Sequence, residues 1–175
     1  MMLGSLLFQK NNRIGGSRAK AEGRSFERCF EIACDKSKVA FIRLPETGGR
    51  FVGKGKFKSE SIVCDYIIGF EAHTILCDLK SLNEKNLSYS FTRHKSFYEQ
   101  IRKLSLWQEK NKDKDGYLSK AVSAFIVYLK KSKAVVAFLP SQILTIRPNK
   151  SLDCNSAFCK IGTGYKDMNI LKLFE

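Results

Sequence analysis

Apolar positions change period in a definite order along this chain. Phe26, Cys29, Phe30 and Ala33 recur at helical spacing, so a helix with that stripe inward is expected from Arg18 to Cys34. Val39 to Leu44 is apolar and reads as a strand. Two more strands, about 61–70 and 74–81, are separated by Glu71-Ala72-His73, a gap that suits an antiparallel hairpin. After a polar connection over 82–92 the helical period returns, with Phe97, Ile101, Leu104 and Gln108 on one stripe between Arg93 and Lys110. A charged loop, 110–120, leads to strands at Ala121–Leu129 and Lys133–Leu139, and Pro140 and Pro148 mark breaks. From about Ser151 the tail offers a strand near Ala157 to Ile161 and a last short helix. Helix, three strands, helix, two strands is an α/β layout: a mixed five-stranded sheet flanked by helices.

The 175 residues suit one domain with a sizeable core. Residues 1–17, with Lys10-Asn11-Asn12-Arg13 and Gly15-Gly16-Ser17, are expected as a flexible basic tail, and 18–175 as a single domain. Glycine-rich Pro45 to Ser59 does not read as a packed element. A projecting basic loop or short stalk is expected over 45–60, carrying Arg50, Lys54, Lys56 and Lys58.

Charge adds the first functional constraint. Thirty-one Lys and Arg against seventeen Asp and Glu give a net charge of +14, a surface that attracts polyanions, nucleic acid first among them. No stretch is apolar enough to span a bilayer. The apolar run Met1 to Phe8 has no basic region before it, so it lacks the layout of a secretory signal and a cytoplasmic protein is expected. Six cysteines form no C-x-x-C pair. Reduced cysteines used as small hydrophobes are the leading expectation. The four-residue gaps Cys29/Cys34 and Cys154/Cys159 leave zinc as a weaker one. Strand alternation points Cys64 and Cys77 away from the aspartates that follow them.

Those aspartates are the chain's most unusual feature. Asp65 lies within Ile62-Val63-Cys64-Asp65-Tyr66-Ile67-Ile68-Gly69, and Asp78 and Lys80 lie within Thr74-Ile75-Leu76-Cys77-Asp78-Leu79-Lys80. Charges in apolar strands are costly unless paired or bound to metal. Alternation puts Asp78 and Lys80 on one face, and hairpin pairing can bring Asp65 alongside. Two neighbouring carboxylates suit Mg²⁺, which takes carboxylate oxygens, keeps several waters and leaves room for a phosphate oxygen. Such a site can activate water and offset charge developing on a phosphate, with Lys80 orienting the water and stabilising the transition state. Glu27 borders the stripe of the first helix and is a candidate third carboxylate, better placed than Glu31, one turn later and farther out. Gln100 borders the stripe of the second helix and can reach inward. Arg93 and His94, at the start of that helix, are candidate phosphate contacts. Plainer readings stand beside these: an in-strand Asp78–Lys80 ion pair, a solubility residue at Asp65, an ordinary helix-surface Glu27 and an undistinguished Gln100.

Asp65 followed by Asp78-Leu79-Lys80 resembles the PD-(D/E)xK nuclease signature. The wider text, roughly 20–145, is similar to the RecU-type Holliday junction resolvases. The matching segments are Gly23-Arg24-Ser25-Phe26-Glu27, Val63 to Gly69, Leu76-Cys77-Asp78-Leu79-Lys80-Ser81, Glu99-Gln100-Ile101, and Phe125–Val127 with Val135–Pro140. The chain has Cys64 where the broad signature has proline, Asp78 where glutamate is usual, and Glu99 where the helix motif has histidine. Its segment between Pro45 and Asp65 is shorter than the family's stalk.

The resemblance implies a restriction-endonuclease-like core. It implies metal ligands at Asp65, Asp78 and Glu27, Lys80 as catalytic lysine and Gln100 as an accessory group. It further implies Mg²⁺, with Mn²⁺ as substitute, and a homodimer that resolves four-way DNA junctions by paired nicking in recombination and repair. A recombination exonuclease or restriction-type endonuclease is the alternative within the same superfamily. A non-catalytic basic nucleic-acid-binding protein is the alternative outside it.

Overall fold

The structure is a computed structural model that describes residues 21–44, 50–51, 57–58, 64–110 and 121–175. It opens with helix α1 over 21–36, whose stripe of Phe26, Phe30, Ala33 and Cys34 is buried. β1 (Ala40–Arg43) follows. β2 (Arg50–Phe51) and β3 (Phe57–Lys58) pair antiparallel, so the basic glycine-rich segment carries a short hairpin ladder. β4 (Tyr66–Phe70) and β5 (His73–Leu82) form the expected antiparallel hairpin, with Glu71 at positive φ in its tight turn.

The connection expected to be merely polar holds two short elements, β6 (Leu87–Ser88) and α2 (Tyr89–Thr92). α3 (Lys95–Lys110) buries Phe97, Ile101, Leu104 and Gln108, the four residues of the expected stripe. Gln108 is no misfit there, because Ser123 Oγ donates to its Oε1 at 2.8 Å. β7 (Ala121–Leu129) and β8 (Ala134–Phe138) form a hairpin. Pro140 breaks the strand but also opens α4 (Pro140–Leu144), since a first-turn proline gives up no helical hydrogen bond. β9 (Ser151–Leu152) pairs with β6, and β10 (Cys159–Gly162) precedes a final 3-10 turn.

The central sheet has the order β1-β4-β5-β7-β8-β10. Only β5–β7 is parallel; the other neighbours are antiparallel. The sheet is thus six-stranded. The five expected strands are present, and the tail strand near Ala157 to Ile161 joins them at the edge.

Alternation divides the core between the two faces. Phe26, Phe30, Tyr66, Cys77, Leu79 and Ile126 pack on the α1 face. Phe97, Ile101, Leu104, Phe125, Val127 and Val136 pack on the α3 face. β8 is buried throughout, as a central strand covered on both faces must be. No helix among the described residues is long and apolar enough to cross a membrane.

All six cysteines are free thiols. Burial pushes Cys34 and Cys64 up to about 12, which makes them inert packing groups. Cys77 lies opposite Asp78, as alternation requires. Cys64 packs on the α3 face while Tyr66 packs on the α1 face, so the alternation of β4 does not run back through Asp65. The chain bends at Asp65 before β4 begins, and the bend breaks the alternation.

Candidate active site at the end of the β4–β5 hairpin

The last β4–β5 pair is Tyr66 with Cys77, and one step further Asp65 stands opposite Asp78. There β4 ends while β5 runs on beside β7 to Leu82. Asp65 manages that ending. Its N–H still bonds to the Cys77 carbonyl at 3.0 Å, and its Oδ2 accepts the N–H of Leu79 at 2.9 Å. A backbone donor that β4 no longer reaches is thus satisfied by a side chain.

Asp78 is fully buried on β5, with its carboxylate on the α3 face. Lys80, two residues on, brings Nζ to 2.8 Å from Oδ2. Gln100 of α3 donates a long hydrogen bond to Oδ1, 3.4 Å. Lys80 also lies over the Phe97 ring, 5.8 Å from its centroid, so the α3 stripe supports the lysine and the glutamine together. The Lys80 ammonium is therefore the charge partner of Oδ2. Burial pushes Asp78 up from the ordinary 3.8 to about 7; Lys80 opposes the shift and Asp65 adds to it.

This geometry fits a Mg²⁺ site in kind. A buried carboxylate stands beside a second one, and Mg²⁺ needs only one or two protein carboxylates; the Lys80 ammonium lies against Oδ2 and would shift as a metal entered. No group of three His, Cys, Asp or Glu side chains that could hold a metal occurs among the described residues.

Glu27 accounts for the missing third acid. It lies on α1, on the other face of the sheet, and binds Arg43 of β1: Nη2 to Oε2, 2.5 Å. Arg43 also donates to Glu31 Oε1 at 3.3 Å, and the Tyr66 hydroxyl donates to the same oxygen at 2.7 Å. Glu31 therefore points inward, and burial together with this bond raises the Tyr66 pKa. The Glu27–Arg43–Glu31–Tyr66 network ties α1 to β1 and β4 behind the site. Its signal in the sequence was the i, i+4 spacing of the two glutamates. Which face of the sheet α1 would cover is not encoded in that spacing.

The candidate DNA contacts separate as well. Arg50 and Lys58 are a cross-strand pair of the β2–β3 ladder, and Lys54 and Lys56 lie outside the described residues. Arg93 is taken up by the fold. Its guanidinium lies 5.0 and 4.7 Å from the ring centroids of Tyr89 and Tyr98, and Nη2 donates to the Leu144 carbonyl at 3.2 Å. His94 is exposed beside the start of α3, with Nδ1 3.1 Å from Ser96 Oγ.

No family model matches the chain, and no curated protein matches it. Among solved structures it is similar to Hjc of Archaeoglobus fulgidus, a Holliday junction resolvase from an archaeal hyperthermophile. The identity is 18%, the match covers 77% of this chain and 91% of that one, and the TM-score is 0.46.

Proposed function

We propose that this protein is a Mg²⁺-dependent DNA endonuclease that cuts branched DNA, four-way junctions in particular. The observation that carries the reading is Asp78. It is a buried carboxylate in a basic protein, with a lysine at 2.8 Å and a second aspartate opposite. Asp65 caps the Leu79 N–H, and its charge also raises the cost of ionising Asp78, a cost that a bound cation would offset.

Asp65 and Asp78 would hold the metal, which when bound supplies charge compensation at the phosphate. Lys80 has two roles. It pairs with Asp78 and, with its side chain 27% exposed, it meets solvent, where an ammonium can orient the attacking water and offset charge on the phosphate oxygens. Gln100 fixes Oδ1 and so the plane of the Asp78 carboxylate. Glu27 would join only by leaving Arg43. The choice of branched over linear DNA rests on the sequence resemblance and on the basic β2–β3 hairpin.

The test offers a labelled four-way junction, a linear duplex and a single strand, with Mg²⁺ or with chelator. Mg²⁺-dependent paired nicks in the junction are expected, lost in Asp78→Asn and in Lys80→Ala while binding persists. Equal cutting of linear duplex would favour the exonuclease or restriction-type alternative. The second reading, a non-catalytic DNA-binding protein, is favoured by the Glu27–Arg43 pair and the missing third acid. It wins if neither Mg²⁺ nor Mn²⁺ supports cleavage of any substrate.

A further inference from the structure

Beyond its last pair with β4, β5 continues beside β7, and this edge of the sheet ends in two loops. One is the segment 83–86 after β5; the other is the turn Lys130-Lys131-Ser132-Lys133 between β7 and β8. They are clasped together. Ser132 Oγ donates to the Lys85 carbonyl at 2.6 Å, and the Lys131 N–H to the Glu84 carbonyl at 3.3 Å. The Lys131 ammonium stands 3.7 Å from the Glu84 carboxylate, with both side chains well exposed. The clasp therefore presents Lys85, Lys131 and Lys133 to solvent on one fixed support.

What sets this cluster apart from scattered surface lysines is the hydrogen-bonded clasp that holds it beside the candidate site. Lys85 and Lys133 have no acidic partner among the described residues, and exposed Glu84 is only loosely engaged by Lys131. Lys133 also sits at φ 48°, ψ 43°, a left-handed conformation that costs a side chain about 1 kcal/mol and that glycine or asparagine would adopt more readily. The turn thus adds a third exposed cation to the same clasp. Three exposed cations on one support attract an anion with several charges. Lys130 faces Glu22 on the α1 side and is not part of the group.

Position supplies the partner. Lys80 pairs in register with Val127, and Leu82 with Leu129, so the clasp begins three residues beyond the candidate catalytic lysine. At about 3.3 Å per residue it starts roughly 10 Å from Lys80 along the strand. That is a span of about three nucleotides of a duplex strand. We propose that Lys85, Lys131 and Lys133 form a phosphate-binding platform that grips the backbone of double-stranded DNA beside the Asp65–Asp78–Lys80 site. This assignment rests on the nuclease reading of that site and adds a backbone-holding surface outside the β2–β3 hairpin. Its contacts are to phosphates, so it contributes affinity and register without sequence preference.

The test compares Lys85→Gln/Lys131→Gln/Lys133→Asn with a control that removes the same charge elsewhere, Lys36→Gln/Lys38→Gln/Lys166→Gln. All six lysines of the two sets are exposed. Binding of a labelled duplex is followed by anisotropy in chelator from 50 to 300 mM salt. The platform variant should flatten the slope of log K against log salt by about 2–3, at about 0.9 per lost phosphate contact, and the control by less than 1. Equal losses in both would mean diffuse attraction and overturn the platform. Should the triple variant fail to fold, the single variants are read instead; each is expected to lower the slope by about 0.9, and three unchanged slopes overturn the proposal. Wild-type protein that binds duplex with the platform dependence but cuts no DNA in Mg²⁺ defeats the nuclease reading and leaves the platform standing.

Discussion

At the residue scale the decisive group is Asp78. Its folded-state pKa of about 7 lies above the ordinary 3.8, so between these values the folded protein holds a proton that the unfolded chain has released. Metal-free stability should therefore fall as pH rises from about 4 to about 7, at up to about 1.4 kcal/mol per pH unit from this one group. Asp78→Asn removes the penalty. In chelator the variant should melt higher than wild type at pH 8, and the two should converge near pH 4; parallel melting curves across that range would reject the assignment. Metal binding requires the ionised carboxylate, so the rise in melting temperature produced by Mg²⁺ should grow with pH and vanish in the variant. Lys80 offsets only part of the burial cost, which is why the sequence could show the charge pair while its poise near neutral pH depended on the packing around it.

At the scale of elements, Asp65 and Arg93 show how structural and chemical roles separate. Asp65 caps the Leu79 N–H where β4 stops. Asp65→Ala leaves that donor unsatisfied and should cost about 1–3 kcal/mol, while Asp65→Asn keeps an acceptor and should cost less. Both should abolish Mg²⁺-dependent cleavage. Urea melts alongside cleavage assays distinguish the roles, and an active, fully stable Asp65→Ala protein would dismiss both. Arg93, a candidate DNA contact by its sequence position, is sandwiched between two tyrosines. Arg93→Lys should cost about 1–3 kcal/mol from lost stacking and the lost carbonyl bond, with the salt slope of DNA binding unchanged. A changed slope at full stability would return Arg93 to the DNA surface. The same elements show what the sequence could and could not reveal. The stripes of α1 and α3 and the β4–β5 hairpin were legible because burial imposes a period on each. Asp78, Lys80 and Gln100 came together as their positions on β5 and α3 implied. Glu27 meets the sheet edge through Arg43, but Glu31, expected farther out, reaches the sheet as well through Tyr66, and the face of the sheet that α1 covers is a tertiary choice without a local signal. β6, α2 and α4 were missed because elements of two to five residues carry no period to detect. The bend that moved Cys64 to the α3 face was hidden for the same reason.

At the scale of the whole molecule, the charge of +14 and the one candidate Asp65–Asp78–Lys80 cluster among the described residues bear on how a branched substrate would be cut. Resolving a four-way junction needs two nicks related by two-fold symmetry, and one chain offers one Asp65–Asp78–Lys80 site. The proposed activity therefore requires two chains on one junction, and a closed symmetric pair is the simplest assembly that supplies them. A plasmid that extrudes a cruciform reports the coupling directly. Two nicks within one bound complex convert supercoiled plasmid straight to linear product; independent monomers would first accumulate nicked circles. Linear product should dominate when protein is in excess. Mixing wild type with excess Asp78→Asn should then shift the product to nicked circle, because a mixed pair holds one working site. Linear product that persists undiminished in the mixture, or nicked circle from wild type alone at every concentration, would rule out paired cleavage by a dimer even if the nuclease activity itself were real.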